Sequence, residues 1–228
     1  MLTFTVQKNN IKKLRINCKP LDDLLGGGLE SGIITEFYGE AGSGKTNICI
    51  QTARECVLNN IGKVAYVDVE GVSMERFVQI CENIDYNKIL SNTIFFNPSS
   101  FLEQEKMVLN LSRIKNIGLI VVDTINMFYR IMIEDDEEGA NRSLVRQLTT
   151  LQLLARRKNL YVIITSQVYT AEDGDFRPFA GRGIEHIAKT IVKLERIGKG
   201  KRKAVIMKHR SQPEGKEAIF YITKNGLE

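Results

Sequence analysis

Gly39-Glu40-Ala41-Gly42-Ser43-Gly44-Lys45-Thr46 is a glycine-rich turn between two segments of different periodicity. Residues 33–38 before it are β-branched and aromatic except for Glu36, and residues 45–59 after it read as a helix. The spacing is G-x-x-x-x-G-K-T, and each residue type has a physical role in holding phosphate. Glycines let successive backbone N–H groups turn inward, and the helix N-terminus adds partial positive charge. Lys45 is expected on the β- and γ-phosphates and the Thr46 hydroxyl on Mg²⁺. The stretch therefore predicts a nucleoside triphosphate site formed by Gly39, Glu40, Ala41, Gly42, Ser43, Gly44, Lys45 and Thr46.

Outward from this turn, strand and helix patterns alternate. Residues 63–69, 92–96, 118–123 and 160–165 read as strands, and 73–83, 101–115 and 140–158 as helices. That order predicts an α/β fold with a mostly parallel central sheet flanked by helices. Residues 170–183, with Gly174, Pro178, Gly181 and Gly183, are expected to be an exposed, mobile loop. Beyond them, 188–197, 203–209 and 218–223 read as a C-terminal β meander. The absence of repeats and long linkers predicts a basic N-terminal segment, 1–19, followed by one domain, 20–228.

Ligands of open α/β sheets bind at the carboxyl ends of the strands, so the residues closing those strands become candidates. Asp123 ends the most apolar strand and is expected to hold the metal with Thr46. Glu70 closes the strand after the first helix and is placed to polarise an attacking water. Gln167 follows the strand at 160–165 and leads into the 170–183 loop, so a γ-phosphate sensed there would be coupled to that loop.

The chain has 228 residues, 43% of them hydrophobic and 26% charged, which excludes a disordered or collagen-like chain. Its four cysteines show no CxxC spacing, and no apolar run approaches a membrane span, so a cytoplasmic protein with reduced thiols is expected. The net charge of +5 is uneven. Residues 1–19 carry five basic side chains and no acid, and residues 177–210 carry eleven against Glu185 and Glu195. An acidic run, Glu134-Asp135-Asp136-Glu137-Glu138, lies between them. Such asymmetry suits a polyanionic partner, and equally an ordinary solvated surface.

With these motifs in place, the chain resembles the RecA-type recombinases, and among them the archaeal RadB proteins, short relatives of RadA. The resemblance runs from Cys18 onward through Leu21-Asp-Asp-Leu-Leu-Gly-Gly-Gly28, Ile34-Thr-Glu-Phe-Tyr-Gly39, Tyr66-Val-Asp-Val-Glu70-Gly71 and Leu119-Ile-Val-Val-Asp123. It continues through Thr165-Ser-Gln167-Val168 and Pro213-Glu-Gly215. The resemblance implies a RecA-type P-loop ATPase core using ATP and Mg²⁺, with Lys45, Glu70 and Gln167 catalytic and Thr46 and Asp123 on the metal. It implies that Arg76 stacks on adenine. It also implies two DNA-binding loops, one with Arg130 and Arg142, the other with Phe176, Arg177, Phe179 and Arg182. Lys208 and Arg210 resemble a basic finger that reaches a neighbouring subunit's γ-phosphate.

The implied function is that of a DNA-binding accessory protein of recombination and repair with weak ATPase activity. Its implied partners are single-stranded or branched DNA, a RadA-type recombinase or a Holliday-junction resolvase, and a second copy as a homodimer. Strand exchange by the chain alone is not expected. No helix-hairpin-helix domain is expected ahead of the core, and Phe4-Thr5-Val6-Gln7 lacks the alanine of the Phe-x-x-Ala polymerisation peptide. The alternative is a KaiC-like signalling ATPase acting through protein partners. A site that binds ATP without hydrolysing it also remains open.

Overall fold

Alternation of side chains decides how the central strands bury. In Lys63–Asp68, Val64 and Tyr66 point to one core cluster and Ala65 and Val67 to the other. Both faces are therefore covered, and the strands read as continuous apolar runs. The structure, a computed structural model, describes residues 12–82, 84–171, 174, 176–179 and 181–228, the side chains of Gly181 and Arg182 aside.

In chain order the elements are β1 (Lys13–Leu14), α1 (Lys19–Leu24), β2 (Leu29–Glu30), β3 (Ile34–Gly39), α2 (Lys45–Leu58), β4 (Lys63–Asp68) and α3 (Met74–Cys81). Then come α4 (Tyr86–Ser91), β5 (Thr93–Phe96), α5 (Phe101–Asn110), a 3-10 turn (Leu111–Arg113), β6 (Ile117–Asp123), α6 (Met127–Met132) and α7 (Glu137–Lys158). The chain continues with β7 (Tyr161–Ser166), β8 (Val168–Thr170), β9 (Phe176–Pro178) and α8 (Gly181–Ile187). It closes with β10 (Thr190–Arg196), β11 (Lys201–Lys208), β12 (Glu217–Thr223) and β13 (Gly226–Leu227).

The main sheet has the order β13-β12-β11-β10-β3-β7-β6-β4-β5. From β10 to β5 every pairing is parallel, and from β10 outward to β13 every pairing is antiparallel. The α/β half and the C-terminal meander are thus one continuous sheet. The outcome is the mostly parallel, helix-flanked fold with a C-terminal meander that the sequence pattern predicts.

Local chemistry sets the helix ends. Asp136 caps α7 by accepting from the Gly139 N–H at 2.9 Å, which draws Glu137 and Glu138 into its first turn. Arg156, Arg157 and Lys158 fill its last turn, so both ends complement the helix dipole. The helix consequently starts three residues before the expected 140.

Three regions depart from the sequence reading. The 101–115 helix ends at Asn110 and tightens into the 3-10 turn. The segment 170–183, expected as an exposed loop without regular structure, carries β9, which pairs antiparallel with β8 through Val168↔Pro178, Tyr169↔Arg177 and Thr170↔Phe176. It also carries the start of α8, where Ile184 is buried. Pro178 is tolerated because this two-stranded ribbon has free edges. Residues 13–18, placed by sequence in the basic N-terminal segment, contribute Leu14, Ile16 and Cys18 to the core. Phe4, Thr5, Val6 and Gln7 lie outside the described residues.

Candidate nucleotide site

Four strand ends meet at the carboxyl edge of the sheet. β3 runs into the glycine loop, β4 leads to Glu70, β6 ends in Asp123 and β7 leads to Gln167. β7 lies between β3 and β6, so Thr165 stands between the loop and the Asp123 carboxylate.

The loop folds tightly because its glycines permit it. A Cβ on Gly39 would fall 2.2 Å from the Leu194 carbonyl of β10, and Gly44 has φ +107 at the N-cap of α2. No side chain caps that helix. The Ser43 hydroxyl is buried and makes no hydrogen bond within the described residues. The Lys45 ammonium is also buried, and it donates to the carbonyls of Gly39 at 2.8 Å and Glu40 at 3.1 Å. Burial holds its pKa below the usual lysine value, against the opposing pull of Glu70 and Asp123. An uncapped helix start, an unpartnered buried hydroxyl and a buried ammonium bonded to carbonyls form a donor set that fits a polyphosphate.

Asp123 is 1% exposed. Its oxygens accept from the Tyr66 hydroxyl at 2.9 Å and from the Thr165 hydroxyl at 2.5 Å. Burial raises its pKa, opposed by hydrogen bonds from Thr165, Thr46 and Tyr66. Thr46 and Asp123 are therefore near enough for their charges and dipoles to be coupled. Together they present the hydroxyl and carboxylate oxygens that would hold Mg²⁺, which would supply positive charge against a polyphosphate.

Glu70 stands on a turn fixed by Asp68. That buried carboxylate accepts from the N–H groups of Gly71 at 2.9 Å and Val72 at 2.8 Å, and from Asn97 at 3.1 Å. The Gln167 side-chain amide donates to the Glu70 carboxylate at 2.7 Å, so these two predicted residues meet. Gln167 is itself held by Asn126, which is fully buried. The Asn126 carbonyl oxygen accepts from the Gln167 N–H at 2.8 Å, and its amide donates to the carbonyls of Gln167 at 3.0 Å and Phe179 at 3.1 Å. Asp68 and Asn126 were not singled out from sequence. Asn126 lies three residues past the end of β6, and no sequence signal marks it because its bonds reach residues 41 and 53 positions away.

Arg76 lies where α3 meets α2 and the C-terminal turn. Its guanidinium donates to Asn47 at 2.6 Å, to Gln79 at 3.0 Å, and to the carbonyls of Thr223 and Lys224 at 2.8 Å each. Its partner Asn47 directly follows Thr46 on α2.

The residues assigned to DNA divide into two groups. Arg130 on α6 sits over the Phe179 ring, 5.4 Å from its centroid, and Phe179 tilts against Tyr169 at 5.1 Å. A groove of about 790 Å³ runs between α7 and the β8–β9 hairpin, lined by Tyr129, Val145, Tyr169, Phe176, Arg177 and Phe179 among others. Arg142 does not join this groove. It is exposed, ion-paired to Glu138 at 2.6 Å, and faces α5. Arg182 lies in α8, but its side chain is outside the described residues.

Lys208 and Arg210 stand away from their own glycine loop. On β10, Leu194 pairs with Gly39 while Ile191 pairs with Lys208, so Lys208 lies toward the edge where the parallel strands begin. Its ammonium donates to the Glu185 carbonyl at 2.5 Å. Arg210 is ion-paired at 3.1 Å to Glu30, whose side chain is 3% exposed.

A parallel sheet with an inserted strand between the glycine loop and the strand-end Asp123, and a glutamate and a glutamine at the same edge, defines a RecA-type P-loop nucleotide-binding protein. The Rad51 family model matches residues 7–228. A protein of Methanococcoides burtonii named "DNA repair and recombination protein RadB" is 45% identical over 222 residues, 95% of this chain and 97% of that one. A Pyrococcus furiosus protein of the same name is 40% identical, covering 96% of each chain. A solved structure described as "Crystal structure of the RadB recombinase" superposes with a TM-score of 0.83 at 39% identity, covering 94% of this chain and 98% of that one. The chain belongs to the Rad51 family, and within it to the RadB proteins.

Proposed function

We propose that this chain is an ATP- and DNA-binding accessory protein of homologous recombination and repair, with slow Mg²⁺-dependent hydrolysis. The observation that carries the reading is Asn126, whose amide group bonds both the nucleotide-edge residue Gln167 and the groove residue Phe179. Nucleotide contact with Gln167 is thereby felt at the β8–β9 hairpin. ATP acts on this reading as a switch on DNA affinity. The groove supplies the chemistry that single strands need, aromatic faces from Phe176 and Phe179 and positive charge from Arg177 and Arg130.

In hydrolysis Glu70 orients and deprotonates water, Lys45 holds the phosphates, and Thr46 with Asp123 holds the metal. Lys208 and Arg210 face away from their own site, so they serve a second copy of the chain. A chain that assembles weakly therefore turns over slowly. Branched DNA, a RadA-type recombinase and a Holliday-junction resolvase are the partners this role calls for.

The test is binding to labelled single-stranded and branched DNA, with and without Mg·ATP, at two salt concentrations. Salt-sensitive binding that tightens with ATP supports the switch. Equal affinity in both nucleotide states removes the switch. No binding at low salt removes the DNA reading and turns attention to protein partners, as in a KaiC-like ATPase.

A further inference from the structure

The hairpin joining β10 to β11 presses its base onto the glycine loop. Arg202 is 9% exposed. Its guanidinium donates to the Gly42 carbonyl at 2.8 Å, and also to the carbonyls of Lys201 at 3.0 Å and Gly198 at 3.2 Å. Arg196, the last residue of β10, lies over the same glycine. Its Cδ, Cζ and Nη1 stand 3.9–4.0 Å from the point that a Cβ on Gly42 would occupy. Arg196 is exposed and makes no hydrogen bond or ion pair among the described residues.

Neither guanidinium meets a carboxylate, since the nearby Glu195 is taken by Lys193 and Lys203. Burial is the first cause of a lowered Arg202 pKa and repulsion from Arg196 the second, while the opposing acid is Glu40 of the loop itself. Two guanidiniums beside one peptide, with Glu40 as the acid facing Arg202, repel each other, and a bound anion relieves that repulsion. The loop beside them is the one whose donor set fits a polyphosphate. Gly42, at φ +74 and without a side chain, leaves nothing between Arg196 and the loop backbone.

We propose that the β10–β11 hairpin forms a basic wall of the nucleotide site, in which Arg196 adds positive charge to the polyphosphate and Arg202 positions the Gly42 peptide. This rests on the nucleotide reading of the loop and deepens it. The contribution is electrostatic, so it grows with the number of phosphates and shrinks with salt.

The experiment measures binding of fluorescent ATP, ADP and AMP, with Mg²⁺, to the full chain and its variants. Arg196→Ala is expected to weaken ATP about fivefold at low salt, ADP less and AMP hardly at all, as an exposed charge contact of this kind would. Arg196→Lys restores most of the loss. Unchanged ATP affinity in Arg196→Ala, or an equal loss for all three nucleotides, overturns the proposal. Failure of the unaltered chain to bind ATP at all is a different result, because it overturns the nucleotide reading itself. For Arg202, the Arg202→Lys variant keeps the charge but loses the fork onto three carbonyls. Lower ATP affinity at an unchanged melting temperature supports the positioning role. A lower melting temperature with unchanged affinity of the folded protein makes Arg202 structural only and overturns that half of the proposal.

Discussion

Gln167 donates its side-chain amide to the Glu70 carboxylate across 2.7 Å, joining residues 97 positions apart in the chain. One end of this contact leads by way of Asp68 to the turn after β4. The other leads by way of Asn126 to the hairpin that lines the aromatic groove. A carboxylate held by a neutral amide is oriented but not neutralised, which suits a group that must accept a proton from water.

Replacing Glu70 with Gln removes the proton acceptor and keeps the shape. Phosphate release in the presence of Mg·ATP is expected to fall about 10²–10⁴-fold while ATP affinity stays near that of the unaltered chain. A single-turnover assay together with a binding titration checks both halves. An equal loss in both would make Glu70 a binding residue.

Asn126→Ala deletes three hydrogen bonds at a fully buried position and leaves the Gln167 N–H without its acceptor. A stability loss of about 2–3 kcal/mol is expected from the unsatisfied groups. Urea unfolding measures it. The functional counterpart is an ATP-independent DNA affinity, because the sensor and the hairpin no longer share a tether.

Glu36 gives a pH dependence of defined sign. Its carboxyl is completely buried on β3, accepts from the Ser166 hydroxyl at 2.6 Å, and lies near Glu185, which repels its charge. Burial pushes its pKa up from 4.5 to about 7. Between these values the folded chain holds a proton that the unfolded chain has released, so stability falls as pH rises through that window. The loss amounts to about 3 kcal/mol when complete, and Glu36→Gln should abolish it. Urea midpoints at pH 5 and pH 8 for both chains decide the matter, and parallel pH profiles would exclude Glu36 as the cause.

The strand-end candidates were readable because each closes an apolar run, so that local sequence places it at the ligand edge. Glu70, Asp123 and Gln167 have this character, while Lys45 and Thr46 were readable from the G-x-x-x-x-G-K-T spacing that opens α2. Asn126 and Arg202 were not readable, since their significance lies in bonds spanning 41, 53 and 160 positions. The hairpin in 170–183 was missed for a related reason. Its glycines and proline read as breakers, whereas three cross-strand pairs and the bond from Asn126 to Phe179 define its shape. Arg142 was assigned by position alone; its i,i−4 partner Glu138 fell outside the helix expected to begin at 140, and its direction toward α5 shows only in three dimensions.

Arg177 is exposed on β9 at the groove. Arg177→Ala is expected to weaken single-stranded DNA binding and to lower the slope of log affinity against log salt by about 0.7, the release of one counterion. Titrations at three salt concentrations give the slope directly. A weaker but equally steep dependence would mean that Arg177 shapes the hairpin instead of meeting phosphate.

Whether Lys208 and Arg210 act on a second subunit can be separated from their roles within their own. Arg210 neutralises Glu30, so Arg210→Ala strands a buried carboxylate with Lys13 3.8 Å away as its remaining partner, and stability should drop by about 1–3 kcal/mol. Loss of hydrolysis in that variant alone therefore proves nothing. Mixing resolves it: a Lys208→Ala/Arg210→Ala chain keeps an intact nucleotide site, and a Lys45→Ala chain keeps an intact finger. If the finger works across subunits, the mixture hydrolyses ATP although neither chain does so alone. A mixture as inactive as its components, under conditions where the unaltered chain is active, would confine both residues to holding their own fold.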